Sequence, residues 1–169
     1  PVENLPENLP FAVLKYYLSN CHLVTTGDSI YKPVKNSSDL ENWSISSVVK
    51  VGTSIIVSTN SMCHECSSPA LAMGAVLKST DNGKTFKLVM RCRLASEIKL
   101  VTYGQKVFVS LELIPSSIKP DYAQGLYISD DYGTTWSQFD ISLPIHNTGR
   151  VKIVMLQTET DFSSSFSKQ

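Results

Sequence analysis

The chain has 169 residues and a formal net charge of zero, with 15 Lys+Arg against 15 Asp+Glu, 42% hydrophobic and 18% charged residues. That is too apolar for a disordered chain and too sparsely charged for a coiled coil, and the neutral balance argues against nucleic-acid binding, which needs a basic surface to displace phosphate counterions. No apolar run approaches the roughly 20 residues of a membrane-crossing helix, and the opening Pro1, with no apolar signal core after it, reads as the start of a processed chain or an excised piece.

In chain order, short β-branched or aromatic runs predict strands at Phe11–Leu18, His22–Thr26, Ser29–Lys32, Trp43–Val49, Ser54–Thr59 and Ala75–Lys78. Further strands are expected at Thr85–Met90, Glu97–Val101, Lys106–Leu111, Leu126–Ser129, Thr135–Ile141 and Val151–Leu156. Turn formers bound them, among them Thr26-Gly27-Asp28, Asp81-Asn82-Gly83 and Asp131-Tyr132-Gly133. Pro6–Ser19 is the only stretch that also suits a helix. The pattern predicts an all-β architecture, with a Ser-rich tail over 163–169 that frays.

Four cysteines, Cys21, Cys63, Cys66 and Cys92, would suggest two disulfides in a secreted chain, with three connectivities open. Sequons begin at Asn36 and Asn42, two candidate glycosylation sites. Together these favour an oxidising, luminal or extracellular setting. Cys63-His64-Glu65-Cys66 offers half of a zinc site, and a structural zinc needs a second ligand pair that the sequence does not supply in register. A loop cysteine pair, each member bridging elsewhere, is the better reading, and no metal or cofactor is expected.

An internal repeat organises the rest. Ser79-Thr80-Asp81-Asn82-Gly83-Lys84-Thr85-Phe86 and Ser129-Asp130-Asp131-Tyr132-Gly133-Thr134-Thr135-Trp136 both read Ser-x-Asp-x-Gly-x-Thr-aromatic, 50 residues apart (129 minus 79), each between strand-like runs. The chemistry of the octet is structural. Asp81 and Asp131 can accept from N–H groups of their own turn, and Gly83 and Gly133 supply a positive φ. Ser79, Ser129, Thr85 and Thr135 can tie the two sides of the hairpin, and Phe86 and Trp136 fold a ring under it. Each octet has too few carboxylates for calcium, which takes about six to eight oxygens. A weaker third copy spans Ser29–Trp43. Units over about 1–44, 45–90 and 91–142, with Val151–Leu156 starting another at about 150–156, have the length and four-strand order of propeller blades. Residues 1–162 are thus expected to form part of a β-propeller, and a piece of this length that folds alone is expected to do so as an open arc or an oligomer.

The octet resembles the Asp-box of sialidases, some other glycoside hydrolases and the sortilin family of sorting receptors. The order of segments between the octets resembles the sortilins in particular: Gly74–Lys87, Gly104–Ser110, Gly125–Ser137 followed by Leu143-Pro144, and upstream Ser54–Asn60 with Cys63. The resemblance spans roughly residues 22–145. It implies the luminal, ten-bladed propeller of a type I membrane receptor that carries peptide or protein cargo between Golgi, endosomes and lysosome or vacuole, or works at the cell surface. The transmembrane segment would lie outside this sequence, and the other partners would be remaining blades of the same chain or a second copy. It also implies a ligand site inside the propeller tunnel, where Ser110 is the first candidate contact beside its reading as a plain inner-strand residue. The sequence departs from sortilin at Ala123-Gln124-Gly125, where sortilin is basic, and in carrying Cys66 and Cys92, which implies a rewired bridge.

The enzyme alternative is a sialidase-like hydrolase, whose chemistry needs an arginine triad, a tyrosine nucleophile paired with a glutamate, and an acid/base aspartate. The arginines here are Arg91, Arg93 and Arg150, two of them flanking Cys92 on one strand. A Ser/His/Asp arrangement drawn from His22, His64 or His146 has no Gly-x-Ser-x-Gly elbow behind it. The expectation is therefore a binding protein and not an enzyme, with a non-catalytic adhesion or scaffold propeller as the third reading.

Overall fold

The computed structural model describes residues 8–35, 43–60, 73–93, 95–113 and 125–139. Along these run α1 (Phe11–Ser19), β1 (His22–Thr25), β2 (Ile30–Val34), β3 (Trp43–Val51), β4 (Ser54–Asn60) and β5 (Met73–Ser79). Then follow β6 (Phe86–Arg93), β7 (Ala95–Tyr103), β8 (Lys106–Leu113), β9 (Gly125–Ser129) and β10 (Ser137–Phe139). The all-β expectation holds, and every strand expected from His22 to Thr135–Ile141 is present, with ends moved by a few residues. Val151–Leu156, the 163–169 tail, Asn36, Asn42, Cys63 and Cys66 lie outside the described residues.

One expectation is corrected. Phe11–Leu18 is not a strand but the helix α1. Pro10 starts it with an extended ψ, and its carbonyl accepts from the N–H groups of Val13 and Leu14, each at 3.0 Å. Leu14 and Leu18, one turn apart, are fully buried together, whereas Tyr16, which a strand would place on the same face as both, is 77% exposed. At the other end the side chains of Ser19 and Asn20 donate to the Lys15 and Tyr16 carbonyls at 2.7 and 2.8 Å, satisfying acceptors that a helix end leaves open.

Two sheets follow. The first is a closed antiparallel barrel in the order β1-β2-β6-β5-β4-β3, and the second is a four-stranded antiparallel sheet in the order β10-β9-β8-β7. Within the barrel, β3–β4–β5–β6 is a meander with long registers, such as Val48↔Val57↔Leu77↔Leu88. The hairpin β1–β2 closes it through short pairings only, Leu23↔Trp43 on one side and Tyr31↔Phe86 on the other. The four-strand unit expected over 1–44 is thus a helix and a hairpin that join the next sheet. The second sheet, β7–β8–β9–β10, repeats the meander of β3–β6, and the first strand of each carries a bulge near its start, at Ser46 and at Ser96.

The period-two alternation of β3–β6 gives that sheet two apolar faces. Val48, Val57 and Leu77 face one way, packing with Leu14, Leu18, Cys21, Leu23 and Phe86 under α1 and the hairpin. Ile56, Val76 and the half-buried Val49 face the other way, packing with Ile98, Leu100, Val107 and Val109 of the second sheet. The result is three layers, α1 with its hairpin, then β3–β6, then β7–β10. Between the last two, the fully buried Ser58 hydroxyl donates to the Ile98 carbonyl at 2.8 Å, and Gly74 lies so close to Ile98 that a Cβ there would overlap its side chain and also reach the Thr59 carbonyl oxygen.

Candidate functional site

The octets build two near-identical turns. In the first, the Asp81 carboxylate accepts from the Ser79 hydroxyl at 2.7 Å, the Thr85 N–H at 2.9 Å and the Thr85 hydroxyl at 2.6 Å, while the Ser79 oxygen accepts from the Gly83 N–H at 2.9 Å. In the second, Asp131 accepts from Ser129 at 2.8 Å and from the Thr135 N–H and hydroxyl at 2.8 and 2.6 Å. Ser129 there accepts from the Gly133 N–H at 2.8 Å, and the Thr134 N–H adds a further bond to Asp131 at 3.0 Å. The expected roles of Ser, Asp, Gly and Thr are all realised. Gly83 and Gly133 have φ of 84° and 78°, but so do their predecessors take the left-handed region, Asn82 at 58° and Tyr132 at 57°. Asparagine suits that region and a tyrosine does not. The Tyr132 ring lies over Gly52 in the β3–β4 turn, a packing contact that sets off the backbone strain.

The hydrogen bonds move both carboxyls. At Asp81 partial burial pushes the pKa up, but the bonds from the Thr85 hydroxyl and N–H and from Ser79 outweigh it and hold the group below the ordinary carboxylate value. At Asp131 the Thr135 hydroxyl leads, followed by the Thr135 N–H and Ser129, and the pKa is held far below that value.

Each octet also seats on the layer before it. Ile55 and Ile56 are neighbours in β4 and point to opposite faces, one into each core cluster. A Cβ on Gly133 would overlap Ile56, so only glycine lets the second octet close on the β3–β6 sheet. Gly83 of the first octet stands against Leu14 and Leu18 of α1, each 3.5 Å from a Cβ position there. For the first octet, α1 therefore takes the place that β4 takes for the second. The rings differ accordingly. Phe86 is fully buried, whereas Trp136 is half-buried against the inter-sheet core with its buried indole Nε1 lacking a hydrogen-bond partner. Two further links tie the second turn down: the Lys78 ammonium donates to Thr134 at 2.7 Å, and Lys106 pairs with Asp130 at 2.9 Å. The second is exposed and worth at most about 1 kcal/mol.

Ser110, the candidate ligand contact, is half-buried on β8, between Lys99 and Leu126 in the ladder. Its counterpart in the preceding sheet is Ser58, because Ile55-Ile56-Val57-Ser58 and Val107-Phe108-Val109-Ser110 occupy matching positions 52 residues apart (110 minus 58). That correspondence is readable in the sequence. The structure brings neither octet to Ser110's face: one turns to α1 and the other to β4.

His22 Nδ1 lies 3.2 Å from the Ser44 hydroxyl across the short β1–β3 pairing, a contact that joins the hairpin to the sheet. Cys21 is buried and its Sγ lies 3.2 Å from the Tyr17 carbonyl. Cys92 sits opposite Gly74 on β6, and its side chain, with Cys63 and Cys66, is outside the described residues. Among the described residues no three His, Cys, Asp or Glu side chains gather into a metal-binding group, and no helix is long and apolar enough to cross a membrane. No family model, curated protein or solved structure matches the chain.

Two outcomes follow from the turns. Both carboxyls have depressed pKa values, so their stabilisation is present above the unfolded-state value, about 3.9, and is lost as the pH falls below it. The melting temperature of the protein should therefore fall more steeply between about pH 5 and pH 3 than that of an Asp81→Asn/Asp131→Asn double variant; parallel curves would mean that the turns do not favour the ionised carboxylates. Trp136→Phe should change the unfolding free energy by less than about 1.5 kcal/mol, since the orphaned N–H is removed with the lost area, whereas Phe86→Trp should cost about 1–3 kcal/mol in its filled slot. Denaturant unfolding of both variants distinguishes the two rings, and the reverse order would contradict the burial described.

Proposed function

We propose that the chain is part of the luminal, cargo-binding β-propeller of a sorting receptor of the sortilin type, with β3–β6 and β7–β10 as two successive blades. The carrying observation is the pair of consecutive four-stranded meanders, each closed by the same octet turn and stacked face to face so that the second octet seats on the first sheet. A propeller repeats that relation around its axis. The polar groups of the octets are engaged within their own turns, which supports a structural part for them and leaves recognition to inner strands and connecting loops. In this reading the protein binds peptide or protein segments without turning them over, within the Golgi–endosome lumen or at the cell surface, as part of a type I membrane protein.

The reading is tested by panning a displayed peptide library against the intact, oxidised chain, with a fluorogenic sialoside assayed in parallel. The expected result is selected peptides that bind with micromolar or tighter affinity, roughly −8 kcal/mol, and no sialoside turnover. Turnover that falls in Arg150→Ala would place the chain with the hydrolases, and selection no better than on an unrelated β-sheet protein would remove the receptor reading.

A further inference from the structure

The sequence holds one Asn-Gly pair, Asn82-Gly83, at the centre of the first octet. Such a pair is open to spontaneous loss of the side-chain amide, because glycine has no Cβ to hinder the approach of its own nitrogen to the neighbouring carboxamide. The step is self-contained. The Gly83 nitrogen gives up its proton and bonds to Asn82 Cγ, the bond from Cγ to the side-chain nitrogen breaks, and ammonia leaves with the proton. Water then opens the cyclic imide at one carbonyl to give aspartate, or at the other to give isoaspartate, whose main chain runs through the former side chain and is one carbon longer.

The fold holds the nucleophile out of reach. Asn82 is exposed, but Gly83 is buried and its N–H donates to the Ser79 oxygen at 2.9 Å. Ser79 donates in turn to Asp81 at 2.7 Å, and Asp81, held below the ordinary carboxylate range, is a weak acceptor for a further proton. Both residues of the pair have positive φ, 58° and 84°, in a turn fastened by the Thr85 N–H and hydroxyl. Closing the imide turns the peptide plane between them and pulls the Gly83 N–H off Ser79. The second octet carries Tyr132 at the Asn82 position, so the turn itself has no need of an amide there and only the first octet can undergo the change. The consequence reaches the core, because Gly83 stands against Leu14 and Leu18, which pack with the buried Cys21. We infer that Asn82-Gly83 is a spontaneous modification site that the closed octet keeps silent, and that isoaspartate formed there during an opening holds the turn open and unseats α1.

Peptide mapping of the full chain after incubation at mildly alkaline pH tests it, read as isoaspartate in the segment Ser79–Lys84. The folded protein should form it at least about tenfold more slowly than the same chain in urea, since the reaction waits on local opening. Ser79→Ala removes the acceptor of the Gly83 N–H and should bring the folded rate towards the urea rate, whereas the same change at Ser129 should leave it where it was. Alkylation of the Cys21 thiol, read in the same digests, should rise in step with isoaspartate. Asn82→Asp, which carries the ordinary aspartate product, should keep Cys21 protected. Equal rates with and without urea, or a faster rate in the folded chain, would overturn the protection, and that comparison needs no variant to fold. Equal acceleration by Ser79→Ala and Ser129→Ala would trace the protection to global stability and overturn the local assignment. Isoaspartate that accumulates with Cys21 still protected, or alkylation already raised in Asn82→Asp, would overturn the release of α1 by isoaspartate.

Discussion

Everything in this structure depends on a sheet that is apolar on both faces. The alternation in β3, β4 and β5 sends Val48, Val57 and Leu77 one way and Ile56 and Val76 the other, all essentially removed from water. At roughly 25 cal/mol per Å² of apolar area, neither face can be left open without giving up the main stabilising term of the fold. A two-faced sheet must be a middle layer, and the chain supplies one cover before it, α1 with β1–β2, and another after it, β7–β10. The unit is therefore not a domain in itself but one layer of a stack.

The octet turn makes the stack compact. Its aspartate gathers the hydroxyls and N–H groups of the turn into one closed set, so the loop needs nothing from outside and can be pressed against a hydrophobic surface. Its glycine supplies the positive φ of the turn, and at Gly133 it also removes a side chain that would strike Ile56 in the layer below, whereas at Gly83 a Cβ would only touch the leucines of α1. Octet chemistry and layer packing are two sides of one device, because the turn that joins two strands of one sheet also fits that sheet to its predecessor. The same plan bears on recognition. If layering consumes the faces and the octets, binding falls to strand edges and connecting loops, the parts of the plan in which one repeat is free to differ from the next.

Much of this was legible in the sequence. Strand positions followed from alternation and turn formers, and the octets from exact spacing, because both are local signals. The roles of the octet serines, aspartates and threonines could be assigned from hydrogen-bonding capacity alone. The choice between helix and strand stayed open over Pro6–Ser19 because Phe11, Val13, Tyr16 and Tyr17 carry strand preference; what decided it was tertiary, the burial of Leu14 and Leu18 against β3–β6, which begins more than twenty residues later. The left-handed Tyr132 was equally invisible, since its conformation is held by a contact with Gly52 far away in sequence. Ser110 shows the opposite case. Its resemblance to a tunnel position singled it out, while its internal match to Ser58 was also present in the sequence.

The central claim is that each octet glycine sits directly on an aliphatic side chain of the preceding layer. Nuclear Overhauser contacts on methyl-labelled protein measure this without perturbing it. The account predicts cross-peaks from the Ile56 δ1 methyl to the Gly133 α protons and from the Leu14 and Leu18 methyls to those of Gly83. Cross-peaks within each strand ladder together with none between these pairs would show two independently folded sheets and would contradict the layered architecture.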